Sequence, residues 1–258
     1  LMGRSVPGVD LFRHDNDRRF FLQSTEEYLK QVGFRCYAFA LMNTHYHFLV
    51  RTSDQELWRL MKPLNTTYAQ YHKNVYGRDG PLFRDRYKSI LTQDQNYLQE
   101  LVRYVHLNPV RAGVCRNVRA LENYPWSGHS ALMGKVARSF MDTGAVLKRF
   151  GPSPVRAREA YAAFLKEGVS ADDSKDDTLS RLIRASNEGR QKGHHPDSWV
   201  IGDSTFVNHV LTSAEAKRLR VRRFEAEGRS LQWIAEKVCT DLGVDVSSLA
   251  TRQRGGTL

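Results

Sequence analysis

Apolar residues recur every three to four positions in NDRRFFLQSTEEYLKQVG, residues 16–33. This spacing predicts a helix with one apolar face, and Gly33 is expected to end it. FRCYAFAL (34–41) predicts a strand rich in aromatic residues, MNTH predicts a turn, and YHFLVR predicts a returning strand. The start of the chain therefore predicts a helix followed by a β-hairpin.

Two more helices are predicted in the first half of the chain. One covers residues 54–75, where Pro63 is expected to kink or divide it. The other covers QNYLQELVRYVHLN, residues 95–108. We expect the step from Asn108 to Pro109 to end this helix, because the residue before a proline is pushed out of helical geometry.

Composition divides the chain into three parts. The first part is dense in aromatic residues, whereas polar stretches at 169–181 and 187–198 are typical of linkers or surface loops. We therefore predict a catalytic domain at 1–134, a helical connector with polar loops at 135–199, and a C-terminal unit at 200–258.

The balance of charge favours a polyanionic partner. The 258 residues include 39 Lys plus Arg against 28 Asp plus Glu, which gives a formal net charge of +11. That excess is typical of proteins that bind nucleic acid, although an ordinary basic enzyme would also fit it. The chain has no apolar run long enough for a bilayer and no signal-peptide core, and its three cysteines are scattered. We therefore expect a cytoplasmic, bacterial protein without a membrane partner.

Basic residues alternate in PLFRDRYKSIL, residues 81–91, which predicts a strand. Arg84, Arg86 and Lys88 would then project from one side, since alternate residues of a strand share a face. Such a row suits contact with a nucleic-acid backbone, and a solvated strand face is the alternative. Together with Arg111, these are the expected DNA-binding residues.

Two histidines stand one residue apart in the hairpin, in LMNTHYHFLV. His45 and His47 would share a strand face, close enough for both imidazoles to bind one metal ion. A bare pair of this kind is more often two packing histidines, so a third ligand is needed to favour a metal. Tyr104 and Asn108 share a helix face. If that face covers the histidines, the site suits phosphoryl transfer by an attacking tyrosine.

Four stretches, in order, resemble the REP-associated tyrosine transposases, the single-tyrosine branch of the HUH superfamily. They are ALMNTHYHFLV, LNTTYAQYHKNVYGRDGPLFRDRYKSIL, YLQELVRYVHLNPVRAGV and YPWSGHSALMG. The resemblance covers residues 3–134. It implies an α+β fold, a ferredoxin-like antiparallel sheet flanked by helices, which we expect to be followed by an all-helical C-terminal region.

The resemblance also implies a function. Members cleave and rejoin single-stranded DNA next to a hairpin, with Mg²⁺ or Mn²⁺, through a 5′-phosphotyrosine intermediate. It assigns the metal ligands to His45, His47 and Asn108, and the nucleophile to Tyr104. A covalent link conserves the phosphodiester energy, so strand transfer needs no nucleotide cofactor. A monomer with its site in one chain and a homodimer with shared sites both remain open.

Two other functions are open: a domesticated protein that binds DNA hairpins without cutting them, and a metal-dependent phosphodiesterase that uses water. The chain also departs from the resembled family at two places. It begins with LMGRS where relatives have a strand running into a Ser-Arg-Gly-like turn, so we expect most of that strand to be missing. Asn43 and Thr44 stand where relatives usually have Pro and Asn, a change that leaves the ligands unaltered.

The C-terminal unit has a pattern of its own. SAEAKRLRVRRFEAEG predicts a basic helix, and SLQWIAEKVCTDLGVDVSSLATRQRG predicts a helix, a turn at Gly243 and a second helix from Ser247. This resembles the DnaA-like helix-turn-helix tail of some transposases, which would bind duplex DNA. A helical hairpin that packs or dimerises is the alternative. Because TRQRGGTL stops where a recognition helix would continue, we expect a truncated unit.

Overall fold

The computed structural model describes residues 1–170, 200–203, 205–210, 212–213, 236 and 239–240. The chain divides into two compact units, Leu1–Asp203 and Ser204–Leu258. The predicted polar loops and the predicted helix-turn-helix lie largely outside the described residues. The three domain boundaries inferred from composition therefore stay predictions.

The first unit alternates short strands and helices. Its strands are β1 (Met2–Arg4), β2 (Arg35–Leu41), β3 (His45–Arg51), β4 (Leu91–Thr92) and β5 (Val200–Ile201). Its helices are α1 (Asp15–Val32), α2 (Trp58–Tyr76), α3 (Asp94–Arg111), α4 (Val118–Glu122), α5 (Gly128–Leu132), α6 (Thr143–Leu147) and α7 (Pro154–Ser170). The predicted first helix and hairpin are confirmed, and Gly33 ends α1 in the left-handed conformation that glycine adopts readily.

Three antiparallel strands form the central sheet, in the order β1-β3-β2. Residues 82–88, which we call the edge segment, run antiparallel beside β1, with bridges from Phe83 to Ser5 and from Lys88 to Met2. With α1 and α2 as the crossovers, this is the ferredoxin-like arrangement that the sequence resemblance implies. The predicted α+β fold is confirmed. Strands β4 and β5 pair in parallel as a separate sheet.

The edge segment is not the regular strand that the alternating basic residues predict. Two bridges join this segment to the chain at β1, Met2 with Lys88 and Ser5 with Phe83. Between the bridges the chain advances three residues from Met2 to Ser5 but five from Phe83 to Lys88, so the edge segment contains two extra residues. The strand prediction for this stretch is therefore wrong. The physical reason is that an outer segment is paired on one side only, so a neighbouring ladder does not enforce a regular period.

Helices cover both faces of the sheet. On one face, Phe39 and Leu41 of β2 lie in the core beneath α1 and α2. On the other face, Ala38 and Ala40 lie in a second core beneath α3 and α7. Alternate residues of β2 thus point to opposite sides, as a strand buried on both faces requires. Because the alanine side chains are small, α3 can pack close to the sheet.

Both described helices that have a proline in their interior continue through it. Helix α2 runs undivided through Pro63, and α3 runs through Pro109 to Arg111. The predicted helix end at Asn108 is therefore wrong. A proline removes one hydrogen bond and crowds the preceding turn, which is a local cost. Packing offsets that cost here, because Leu107 is 1% exposed and the backbone N–H of Ala112 still donates to the carbonyl of Asn108 at 2.8 Å.

Neither disulfides nor membrane-spanning helices occur in the part of the chain that the structure describes. Cys36, Cys115 and Cys239 are buried free thiols. The helices of the described ranges are too short or too polar to cross a bilayer.

Candidate active site

Strand β3 places both predicted histidines on the face of the sheet that α3 covers. Tyr46 and Phe48 lie in the opposite core, beneath α1 and α2, so His45 and His47 share the α3 face. The two imidazole centroids are 5.3 Å apart, with their planes at 79°. His47 is 5% exposed, whereas His45 is half-buried. The pair therefore lies at the border between the core and the surface.

Both imidazoles are neutral at pH 7. Burial, together with the nearby charge of Arg4, lowers the pKa of His45 to about 4. Burial and the neighbouring His45 lower the pKa of His47 to about 3. A neutral imidazole offers a nitrogen lone pair to a metal ion, whereas an imidazolium offers none. The electrostatics of this pair therefore suit metal binding.

Helix α3 brings Tyr104 against the histidine strand. Its ring meets the ring of His47 edge to face, with centroids 5.7 Å apart and planes at 86°. Asn108 lies one turn further along α3, and its Nδ2 donates to the carbonyl oxygen of Tyr104 at 2.7 Å. Because the amide nitrogen is only a donor, the amide oxygen is the atom that can bind a cation.

The predicted ligands fit a divalent cation as a weak, uncharged donor set. Imidazole nitrogens suit Mn²⁺ better than Mg²⁺, and the oxygen of Asn108 suits both. The described residues contain no cluster of three His, Cys, Asp or Glu side chains, so a carboxylate does not strengthen the set. A cation held by these three residues would therefore need further oxygen ligands.

A hydrogen-bond network fixes the turn that leads into His45. The hydroxyl of Thr44 lies 3.1 Å from His45 Nδ1. The backbone N–H of Ser5 donates to the carbonyl of Thr44 at 2.9 Å, and Nη2 of Arg18 donates to Oδ1 of Asn43 at 2.7 Å. Sequence reasoning marks Asn43 and Thr44 only as departures, and it misses Ser5 and Arg18, because their partners are distant along the chain.

Two arginines border the site. Arg4 pairs with His45 across the sheet, and its charge contributes to the low pKa of both histidines. The guanidinium carbon of Arg111 lies 5.8 Å from the centroid of the Tyr104 ring. Arg111 is among the predicted DNA-binding residues. Arg4 is not, although the Ser-Arg-Gly-like turn of the resembled family is a signal that points to it.

The other predicted DNA-binding residues are exposed on the edge segment. They are Arg84, Arg86 and Lys88. The side chain of Arg84 pairs with Asp85 at 2.9 Å, and its backbone N–H donates to the carbonyl of Arg4 at 3.0 Å. Because the segment is not a regular strand, strand periodicity no longer supports a single row, and the row stays a prediction. The segment nevertheless adjoins the strand that carries Arg4.

Comparison with a family model relates part of the chain to transposases. The family model described as "Transposase IS200 like" matches residues 10–108, a stretch that contains both histidines, Tyr104 and Asn108. No curated protein matches the chain. A solved structure described as "Structure of the REP associates tyrosine transposase bound to a REP hairpin" is 11% identical, covers 55% of this chain and 88% of its own, and has a TM-score of 0.43. Residues 10–108 are therefore similar to the IS200-like transposases.

Proposed function

We propose that the protein cleaves and rejoins single-stranded DNA next to REP-like hairpins, through a 5′-phosphotyrosine intermediate and with Mg²⁺ or Mn²⁺. Tyr104 is the nucleophile, and His45, His47 and Asn108 are the metal ligands. The observation that carries this proposal is the edge-to-face contact between Tyr104 and His47 within one chain. It places a phenol beside a neutral imidazole pair, where one phosphate can meet both.

The reaction follows from these groups. The phenol oxygen of Tyr104 attacks the scissile phosphorus and loses its proton, and the bond to the 3′ oxygen breaks. The 3′ oxygen takes up a proton, and the 5′ phosphate stays on the tyrosine. A divalent cation at the histidines would polarise a non-bridging phosphate oxygen. Rejoining is the reverse step, in which a 3′-hydroxyl attacks the phosphotyrosine and Tyr104 leaves.

Basic residues around the site would hold the DNA. Arg4 and Arg111 are close enough to the histidines and to Tyr104, respectively, to bind the phosphates next to the scissile bond. Arg84, Arg86 and Lys88 would contact the backbone of the same strand. Hairpin recognition is proposed from the sequence resemblance, and duplex binding by residues 200–258 from the predicted helix-turn-helix. The contact that carries the proposal lies within one chain, which supports a monomer with its site in one chain, and a homodimer with shared sites is the alternative.

A covalent-adduct assay tests the nucleophile. A single-stranded oligonucleotide with a hairpin is labelled at its 3′ end and incubated with Mn²⁺, and adducts that survive denaturation are counted. Wild-type protein should form a labelled adduct, and Tyr104→Phe should form none while still binding the hairpin. Tyr97→Phe is the matched control, since Tyr97 lies two turns earlier on α3 and is half-buried.

The same assay separates the alternatives. A non-cleaving hairpin-binding protein would bind without forming an adduct or a cut. A phosphodiesterase that uses water would cut the strand equally well with Tyr104→Phe, and no adduct would appear. His45→Ala and His47→Ala should abolish cleavage and leave hairpin binding largely intact, so full cleavage by both variants would remove the metal assignment.

A further inference from the structure

A tyrosine hydroxyl joins two histidines in the core on the α3 side of the sheet. The Oη atom of Tyr161, on α7, lies 2.8 Å from Nδ1 of His106 on α3 and 2.8 Å from Nδ1 of His129 on α5. All three residues are 0% exposed. One hydroxyl therefore connects three helices that are far apart along the chain.

The network requires a fixed arrangement of protons. Burial lowers the pKa of His106 well below its usual value and that of His129 to about 4, and it raises the pKa of Tyr161, so all three groups are neutral at pH 7. A hydroxyl donates one proton, so it donates to one imidazole and accepts from the other. The two histidines must therefore be opposite tautomers.

This arrangement is costly as well as specific. The Nε2 atoms of His106 and His129 are buried and have no hydrogen-bond partner among the described residues. A buried polar atom without a partner destabilises a fold, so its presence in a core calls for an explanation. A Cβ atom on Gly128 would lie 2.6 Å from Nε2 of His106, so the backbone packs directly against this ring. The ring of His106 is thus held at both ends.

The position of His106 on α3 connects the network to the active site. His106 lies two residues after Tyr104 and two before Asn108, which is about 200° around the helix axis from each. Contacts that fix His106 on the opposite side of α3 therefore also fix the rotation of α3 about its axis, and with it the direction in which Tyr104 and Asn108 project. A second contact also holds α3 against α7: the guanidinium carbon of Arg103 lies 4.1 Å from the ring centroid of Phe164.

We propose that Tyr161 is a positioning residue for the active site: by bonding His106 it sets the rotation of α3 and so places Tyr104 against His47. The proposal rests on the proposed roles of Tyr104 and Asn108. Tyr161 cannot touch DNA itself, because it is fully buried. It lies on α7, outside the segment that matches the transposase family. Residues 154–170 would therefore help to position the active site, whereas composition predicts that they belong to a connector.

The test compares two buried hydroxyls on opposite faces of the sheet. Tyr161→Phe removes the bridge. Tyr68→Phe is the matched control, because Tyr68 is also 0% exposed and its hydroxyl donates to the carbonyl of Leu11 at 2.6 Å in the α1 and α2 core. The readout is the nuclear Overhauser effect between the rings of Tyr104 and His47, together with the ring-current shift of His47, in the protein without DNA.

We expect Tyr161→Phe to lose this effect and this shift, and Tyr68→Phe to keep both. With DNA, the rate constant of adduct formation should fall by about ten- to a hundredfold in Tyr161→Phe at saturating substrate, while hairpin affinity stays unchanged. If Tyr161→Phe keeps the contact between His47 and Tyr104, the proposal is overturned. It is also overturned if wild-type protein lacks that contact. If wild-type protein shows the contact but forms no adduct, only the proposed function fails.

A second variant covers the case in which Tyr161→Phe does not fold. Changing Tyr161 to Phe and both His106 and His129 to Leu removes every polar group of the network, so no buried group is left without a partner. This variant should fold, because replacing all partners by apolar groups avoids the desolvation cost. It should nevertheless lose the contact between His47 and Tyr104, and retention of that contact would overturn the proposal.

Discussion

The hydroxyl oxygen of Thr44 lies 3.1 Å from Nδ1 of His45, at the point where the hairpin turn enters β3. When a histidine binds a metal through Nε2, its Nδ1 carries the proton and donates it to a neighbour. The hydroxyl of Thr44 is placed to accept that bond. The backbone N–H of Ser5, the residue after β1, donates to the carbonyl of Thr44 at 2.9 Å. A hydroxyl can donate as well as accept, and when it accepts from Nδ1 it supports the tautomer of His45 that has its lone pair on Nε2.

Replacing Thr44 by Val should weaken metal binding. Valine has the same shape but cannot accept a hydrogen bond from His45 Nδ1. The affinity for Mn²⁺ should therefore fall by about tenfold or more, as measured by calorimetric titration. Thr44→Ser retains the hydroxyl and should bind Mn²⁺ like wild-type protein. Equal affinity of the Val variant and wild-type protein would show that this hydrogen bond does not support a metal ligand.

Charge removal from the edge segment should change the salt dependence of DNA binding. Replacing Arg86 or Lys88 by Gln should weaken the binding of all single strands similarly and lower the slope of log affinity against log salt by about 0.7 unit each. Arg84→Gln should have a smaller effect, because Asp85 already pairs with that guanidinium at 2.9 Å. Lys62→Gln, a substitution of an exposed residue on α2, is the control. If the variant in which Arg84, Arg86 and Lys88 are all replaced by Gln shows an unchanged slope, the three residues belong to a solvated surface.

Deletion of residues 204–258 should separate the two proposed DNA-binding activities. The deletion begins at the boundary between the two compact units. Affinity for hairpins flanked by duplex DNA should fall, while cleavage of a minimal single-stranded hairpin should continue. Gel-shift and cleavage assays on both substrates measure this. Loss of solubility with unchanged flank preference would instead indicate that the C-terminal unit packs or dimerises.

Asp17 should make the stability of the fold depend on pH. Its side chain is 1% exposed and accepts hydrogen bonds from the hydroxyls of Tyr71 and Tyr76 and from the backbone N–H groups of Arg13 and His14. Burial alone would raise the pKa of Asp17, but these bonds lower it overall. The carboxylate therefore stabilises the fold above its unfolded-state pKa, near 4, and this stability is lost as the pH falls through the lower folded-state value.

Urea unfolding at pH 7 and at low pH measures this contribution. Asp17→Asn should lower the free energy of unfolding at pH 7 by about 2 kcal/mol and reduce its loss on acidification. Asp85→Asn, an exposed change, is the control and should change the free energy of unfolding little. The same acid dependence in Asp17→Asn and wild-type protein would assign the acid sensitivity to other groups.

Local pattern determines much of the fold. The apolar period of α1 and the glycine at its end specify a helix, and the alternation along β2 and β3 specifies a hairpin, because both signals depend on neighbouring residues alone. The resemblance adds the ferredoxin-like topology and the identities of His45, His47, Tyr104 and Asn108. What local pattern does not supply is distance: that Tyr104 meets His47 depends on how closely α3 packs on β2, where Ala38 and Ala40 leave room.

The failed predictions share one cause. The edge segment alternates like a strand but is bulged, because it is paired with β1 on one side only. Helix α3 continues through Pro109, because burial of the surrounding residues outweighs a local preference. In both cases a tertiary environment overrides a local signal.

The sequence by itself determined the first helix and the hairpin of the sheet, the excess of positive charge and the residue types needed for phosphoryl transfer. Only the tertiary structure decided which groups meet: Tyr104 with His47, Arg18 with Asn43, and Tyr161 with His106 and His129. The physical reason is that these contacts form between elements whose separation is set by packing of the core. A periodic pattern states which face of an element is buried, but it does not state which other element buries it.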